Sequence, residues 1–570
     1  MSSCKRNVRM FRFAYLRRVR QAACAVVSVS HCSAAILMIS LSGWVDANTF
    51  TVTNTADAGA GSLRQAIADA NALQVTGGTR CEPHSIVFNI PGSGVHTIQP
   101  LSALPKFVIA ITLDGYTQMN ASQNTLNDGS NAVINIELDG SLAGTVDGLV
   151  MGATAPPSPL CSATGSVIRG LAINRFAGAA ISMGDEACMM GQTCQVGNIR
   201  VEGNHIGTDV SGMLALGNGF VLLRPALRFG TGSVHVIVGD ESAVNGGPSD
   251  PRPKSRNVIS ANATDAIAIG ASSGLPDKLS TGHVIRNNYI GLNAAGTGAL
   301  GNGGRGITVG ANGSSIAIYD DLIGGNGSDG VAILDDASAT TALIGNGIGI
   351  GVGALPMGNA GNGVLVAGGA RGVTLAKRFW LAPPLTASIS NNAGAGVFVD
   401  DFAQLDLVNG SIGGNAGLAI DLAPVGVTPN DVGDGDNGPN ELLDKPVIQS
   451  VVYDATTGNS SITGVLNAAP NRNYEIHFYY SDSCDANGFG GGAVFFPLNP
   501  GPIVLSLTTD AAGNASFVRQ TMFLPPGKYL TAITRWFATN PGNSALIVSE
   551  FSACRQIAAS ADLIFSDGFQ

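Results

Sequence analysis

The chain has 570 residues, 77 of them glycine, with 12% charged and 6% aromatic residues and a net charge of −10. Apart from a basic N-terminal stretch, the chain is acidic with no basic run, which argues against nucleic acid or anionic lipid as a partner of the mature chain. Isoleucine, valine and leucine recur in step with the glycines, which excludes a disordered glycine-rich linker.

Residues 1–47 read as an export signal. Lys5, Arg6, Arg9, Arg12, Arg17, Arg18 and Arg20 form a basic start, Ser33 to Leu41 an apolar core, and Val45-Asp46-Ala47 a small-residue cleavage site. That core is too short to span a bilayer as a helix and no later segment is longer, so a secreted or surface-located mature chain without a transmembrane helix is expected. Residues 48–72 open with the alternating strand Phe50-Thr-Val-Thr53. Ser62 is the expected N-cap of a helix, with Gln65 three residues on and Leu63, Ala66, Ile67 and Ala70 on one face. Such a helix would cover the open end of a stacked β structure.

Residues 73–422 carry internal repeats. Asn204-His-Ile-Gly through Gly-Asn-Gly219 aligns without a gap on Asn288-Tyr-Ile-Gly through Gly-Asn-Gly303, and more loosely on Asn346 to Asn359. A second unit interleaves, relating Val258–Ile269 to Leu322–Ile333 and returning at Ile389–Val397 and Ile412–Leu418. Repetition of this kind marks a solenoid. Each unit is a short β-branched run closed by Asn and Gly, residues that tolerate positive φ and let a chain turn a corner every few residues. The architecture expected is an all-β, right-handed parallel β-helix whose interior is filled by apolar side chains and whose asparagines bond up the stack. A Pro-rich stretch from Ala153 to Ser162 and insertions at Asp240–Arg256 and Ala370–Pro384 should project as loops, where a β-helix builds a groove.

Composition then changes. Residues 423–445 read as an acidic Asp/Asn/Gly linker, in which Asp431, Asp434, Asp436, Asn437 and Asn440 form a candidate calcium site: oxygen ligands at alternate positions with glycines to bend the backbone. No other cofactor is called for. Residues 446–558 alternate in strands spaced as in a small antiparallel β-sandwich, including Tyr474–Tyr480 and Tyr529–Thr534. Residues 559–570 form a short tail. Six cysteines follow the signal, and their pairing is expected as Cys188–Cys194 across a short loop, Cys484–Cys554 in the last domain, and Cys81–Cys161 by elimination. No CxxC occurs, so zinc or redox chemistry is the weaker reading.

The stretch Gly61-Ser-Leu-Arg-Gln-Ala66, with Ile111-Thr-Leu-Asp-Gly-Tyr-Thr-Gln118 and Ile136-Glu-Leu-Asp-Gly140, resembles bacterial exported proteins that carry a Cys-Ser-Leu-Arg-Glu-Ala module ahead of a right-handed β-helix of the pectin-lyase-like type. Gly replaces the Cys and Gln the Glu. The resemblance spans residues 48 to 445 and implies fold rather than activity. The segment Thr509–Phe517 is similar to bacterial Ig-like or fibronectin-like modules, which implies that fold for the last domain.

Pectate lyases and polygalacturonases share the expected fold, and a hydrolase would need paired carboxylates. Candidate catalytic residues are Asp320 and Asp321, Asp400 and Asp401, and His283, with Asp335 and Asp336 a further doublet; Arg169, Arg286 and Arg305 could neutralise a uronate. The polygalacturonase motifs Asn-Thr-Asp, Gly-His-Gly and Arg-Ile-Lys are absent. His205 and Asp209 correspond to Tyr289 and Asn293 in the next repeat, which favours a scaffold role for both. Two readings follow: a non-catalytic, adhesin-like β-helix that displays a surface to an extracellular polysaccharide or cell-surface partner, or a polysaccharide lyase or glycoside hydrolase on a uronate-type substrate. The regular repeats and incomplete motifs favour the first.

Overall fold

The computed structural model describes residues 47–560 except 74–82, 154–160, 185–194, 231, 241–252, 271–279, 312, 335–340, 377–387, 409, 493, 496, 499–500, 503 and 541–542. The export signal, Cys81, Cys188, Cys194, Asp335, Asp336 and most of the C-terminal tail therefore lie outside the described residues. Among the described residues no helix is long and apolar enough to cross a membrane.

Short strands of two to five residues wind into three parallel sheets of eleven, ten and nine strands, each sheet receiving a strand from successive coils. One coil runs Arg200–Glu202, His205–Ile206, Leu227–Phe229; the next Ile237–Gly239, Val258–Ile259, Ile267–Ile269; the next Val284–Arg286, Tyr289–Ile290, Ile307–Val309. The register stacks like on like. In the first sheet Val201, Val238, Ile285, Ile318, Leu343, Leu375 and Leu407 form one buried column. In the second sheet Ile206, Ile259, Ile290, Ile323, Ile348, Ile389 and Ile412 form another. Burying each such side chain contributes about 1.5–3 kcal/mol.

This register corrects the reading of two interleaved repeats. Asn204, Asn257, Asn288, Asp321 and Asn346 all occupy the corner that enters the second sheet, so both units are the same place in the coil. The longer version carries a small hairpin, closed by the bridges Thr208–Ala215, Leu292–Ala299 and Ile350–Pro356, that the shorter version omits. Both then meet at a second corner, where Asn218, Asn262, Asn302, Asn326, Asn359, Asn392 and Asn415 form a ladder. At each step the side-chain amide and backbone N–H of one asparagine donate to the Oδ1 of the next, at 2.9–3.3 Å.

The N-terminal end is covered as the sequence indicates. Helix Leu63–Ala72 buries Leu63, Ala66, Ile67 and Ala70, and the Ser62 hydroxyl accepts the Gln65 N–H at 3.2 Å. Gln65 does not reach back to complete a capping box; its amide donates to Asp69 at 2.6 Å.

At the other end, two sheets built from Val447–Asp454, Asn459–Asn467 and Asn514–Met522, and from Asn473–Ser481, Tyr529–Asn540 and Asn543–Val548, share one apolar core. The expected disulfide Cys484–Cys554 is formed here. Cys161 is disulfide-bonded, but the residue assigned to it, Cys81, lies outside the described residues. The sandwich closes the last coils: Tyr479, Ile533, Val548 and Phe551 join the β-helix core, and Arg535 grips both oxygens of Asp406 at 2.8 Å. Residues 423–445 are accordingly not a loose tether. Glu550 accepts from the backbone N–H groups of Leu422 and Thr428 and pairs with Lys445 at 3.1 Å. Asn440 ties Leu405 of the last first-sheet strand to Val548 of the sandwich.

Two variants test this scheme. Asn326→Ala strands the donors of Asn302, while Asn359 Oδ1 keeps the backbone N–H of residue 326, and should lower stability by about 1–3 kcal/mol for each buried group left unpaired, seen as a fall in the denaturant midpoint. Arg535→Ala leaves the buried Asp406 carboxylate without its counterion; a loss of about 3–5 kcal/mol is expected, with faster proteolysis within residues 423–445 than in the parent.

Candidate functional site

The first sheet carries a row of charge on its outer side. Asp114, Arg169 and Glu202 are register neighbours, with Arg169 bonded to Asp114 at 2.7 Å and 3.5 Å from Glu202. The bond to Asp114 is the main reason the Arg169 guanidinium holds its proton more firmly than usual. Further along, the buried Arg286 lies 2.9 Å from Asp320 and 3.7 Å from Asp240.

Above this row opens a polar cleft of about 160 Å³, lined by Tyr116, Gln123, Arg169, Arg200, Glu202, Asp240, Lys254 and Ser255. Local sequence explains its floor. Asp114 caps a short 3-10 turn by accepting the Tyr116 N–H at 3.0 Å, and the Tyr116 hydroxyl donates to Gly203 O at 2.6 Å. Gly203 has φ +65°, and a Cβ there would lie 2.7 Å from the tyrosine oxygen, so a glycine is required for the contact. Burial, reinforced by Asp114 and Glu202, raises the Tyr116 hydroxyl pKa well above its ordinary value and keeps the group neutral. Asp240, Lys254 and Ser255 belong to the insertion read from the sequence as a groove-building loop. The volume is below the ~300–1,000 Å³ that encloses a drug-sized ligand; it suits one charged group of a longer molecule.

The candidate catalytic residues do not converge. Asp320 and Asp321 sit between the first and second sheets, whereas Asp400 and Asp401 sit between the third and the first. Asp320, at φ +56°, is the partner of Arg286. Asp321 is fully buried as one rung of the first-corner ladder, accepting from Asn288 N and Nδ2 at 2.7 and 2.9 Å. Where the other rungs present a donating amide, Asp321 presents Oδ2, which meets no hydrogen-bond partner among the described residues. Burial pushes its pKa well up, which favours the neutral acid over the carboxylate at this position. Asp400 accepts the Asp401 N–H at 2.8 Å in an exposed turn. His283 is buried against Phe229. Its Nδ1 accepts the Val236 N–H, leaving Nε2 to donate to Ser280, which lies 2.7 Å from Ser233. Burial lowers its pKa to about 3, so the ring stays neutral. His205 is likewise buried, bonded to Val210 O, and lowered to about 4, while Asp209 ties up its own hairpin through Ser211, Met213 and Leu214. Arg305 pairs with Asp329 at 3.0 Å.

The candidate calcium residues divide. Asp431 and Asp434 come together with Asp444, a residue left out of the sequence reading, so that one carboxylate oxygen of each lies within 4.8 Å of the others. Burial, with the neighbouring carboxylates, raises Asp434 to about 6 and Asp444 to about 7. Asp436 and Asn437 line an adjoining groove of about 330 Å³. Asn440 is drawn to the sandwich interface instead, where its amide bonds Leu405 and Val548. Asp444 was missed because it lies ten residues beyond Asp434, past a turn at 439–442 that folds it back. Tyr116, Arg200, Glu202 and Lys254 were missed because they are brought together across coils; the repeated Leu-Asp-Gly at 113–115 and 138–140 was the visible trace of the turn beneath them.

No known family model matches the chain, and no curated protein matches it. Among solved structures, the chain is similar to the A-module of mannuronan C-5 epimerase AlgE6 of Azotobacter vinelandii, at 15% identity over 63% of this chain and 84% of that one, TM-score 0.34. It is also similar to the AlgE4 A-module of the same organism, at 13% identity over 64% and 96%, TM-score 0.26. A third is the full-length tailspike protein 2 of Escherichia coli O157:H7 bacteriophage CAB120, at 11% identity over 89% and 65%, TM-score 0.15. Likeness at this level carries no argument about activity.

Asp321 gives the sharpest test of scaffold against catalysis. Its raised folded pKa means that the folded chain binds the proton more tightly than the unfolded one, so this contribution is complete below about pH 4 and declines as pH rises toward the folded value. Asp321→Asn restores the amide of the neighbouring rungs and removes that decline. The variant should be more stable than the parent at pH 7, by about 1–3 kcal/mol, with the difference vanishing near pH 4. A less stable variant at pH 7 would contradict the assignment.

Proposed function

We propose that this chain is an exported or surface-associated display protein whose β-helix binds an anionic extracellular polysaccharide, without cleaving it, through the cleft on its first sheet. One observation carries the reading: in a chain of net charge −10, Arg169, Arg200 and Lys254 gather around one small polar opening. Arg169 is bonded to Asp114, and Arg200 and Lys254 beside it in the lining would meet carboxylate or sulfate groups of a glycan.

The same cleft supports the enzymatic alternative on one point only, the presence of Glu202, Asp240 and Tyr116 among its lining residues. Each is already occupied: Glu202 near Arg169, Asp240 near Arg286, and the Tyr116 proton on Gly203 O. A base or nucleophile with those contacts must break one before it reacts.

The folded full chain should retain pectic, alginate or other acidic polysaccharides and not neutral ones, with retention weakening as salt rises. Arg200→Ala combined with Lys254→Ala should lower affinity about tenfold or more, about 1.4 kcal/mol. Retention of neutral glycans alone, or unchanged affinity in the double variant, would refute the site. Release of unsaturated or reducing ends from any of these polymers would replace the binding reading with the enzymatic one.

A further inference from the structure

We propose that the junction between the β-helix and the sandwich holds a hard divalent cation of calcium's size, ligated by Asp431, Asp434 and Asp444 with Asp436 at its rim.

The argument starts from the use of each carboxylate oxygen. Asp431 Oδ2 accepts from Gly435 N at 3.2 Å, Asp434 Oδ1 from Asp444 N at 3.1 Å, and Asp444 Oδ1 from Asp431 N at 3.2 Å. Each group thus spends one oxygen on fastening the loop and keeps one. Asp444 is 3% exposed, yet its Oδ2 meets no hydrogen-bond donor among the described residues, and Asp436 Oδ1 is in the same condition. An anionic oxygen taken out of water without a donor or a cation costs several kcal/mol. Two guanidiniums line the groove, Arg371 and Arg472; Arg472 lies over the Trp536 ring at 4.5 Å, from where its charge reaches Asp434, and neither donates a hydrogen bond to Asp444 Oδ2 or Asp436 Oδ1 among the described residues.

A cation answers all of these at once. Calcium takes six to eight oxygen ligands in flexible geometry at about 2.3–2.6 Å, so opposite ligands stand about 5 Å apart; the three carboxylates lie within 4.8 Å of one another. Asp431 is exposed, which leaves a side open for water to complete the shell. Magnesium demands a near-ideal octahedron and gives up its waters reluctantly, so calcium is the better occupant. The consequence is mechanical. Gly433 of the same loop donates to Asn467 Oδ1 in the sandwich at 2.8 Å, and Asn440 lies between Asp434 and Asp444 in the chain. A bound ion would therefore fasten the segment that joins the last coil to its cap. This inference does not depend on the polysaccharide reading.

The test is calcium titration of the chelator-treated full chain by calorimetry, with terbium luminescence excited through aromatic residues as a second readout; Tyr474 lies close enough to feel the Asp434 charge. One calcium per chain is expected, with a rise in Tm on saturation, weaker binding of magnesium, and at least tenfold weaker calcium binding in Asp434→Asn and in Asp444→Asn. Asp431 is exposed, so Asp431→Asn should fold normally and still weaken binding. No calcium heat and no Tm shift in a chain shown to be folded would overturn the proposal, as would binding that Asp431→Asn and Asp434→Asn leave unchanged.

Discussion

The structure depends on how a narrow coil satisfies its own corners. A chain that turns every few residues cannot pair the corner N–H groups within its sheets, and an unpaired buried amide is expensive. Asparagine resolves this in both directions along the stack. At the second corner each side chain accepts from the backbone N–H of the coil before it and donates to the amide oxygen of the coil after it. At the first corner the side chains also reach back to strand carbonyls, as Asn257 does to Val201 and Asn288 to Val238. The apolar columns supply most of the burial energy, but the ladders set the register in which those columns align.

That division explains what the sequence made legible. Asn204-His-Ile-Gly and Asn288-Tyr-Ile-Gly show the corner, the inward isoleucine and the turn glycine directly, because each is a local requirement that recurs along the stack. The N-terminal helix is legible for the same reason: Ser62 and the apolar face of residues 63–70 are neighbours in the chain. Less visible was that Val258–Ile269 is the same unit without its hairpin, since an omitted loop shifts an alignment without changing the coil.

The candidate sites were legible only in part because they are made between coils or between domains. Asp431 and Asp434 stand in a readable turn, whereas Asp444 joins them through a fold of the chain and Asn440 is drawn off to the sandwich. The paired aspartates looked like chemistry because the sequence shows adjacency but not direction. Asp320 faces Arg286 while Asp321 turns into the stack, so neighbours in the chain have opposite surroundings. Tyr116, Glu202 and Lys254 share no local pattern at all.

The optional hairpin has a consequence of its own. Coils with and without it keep the same inward isoleucine and the same second-corner asparagine, so this edge of the solenoid accepts an insert without a change of coil, and successive inserts touch, Ala294 N donating to Gly212 O at 2.9 Å. Residues carried there, such as Met213 and Leu214 in one insert, lie in solvent and answer to no packing constraint from the core. The scaffold thus offers a row of equivalent graft points at which surface chemistry can diversify coil by coil while the stack beneath it stays the same.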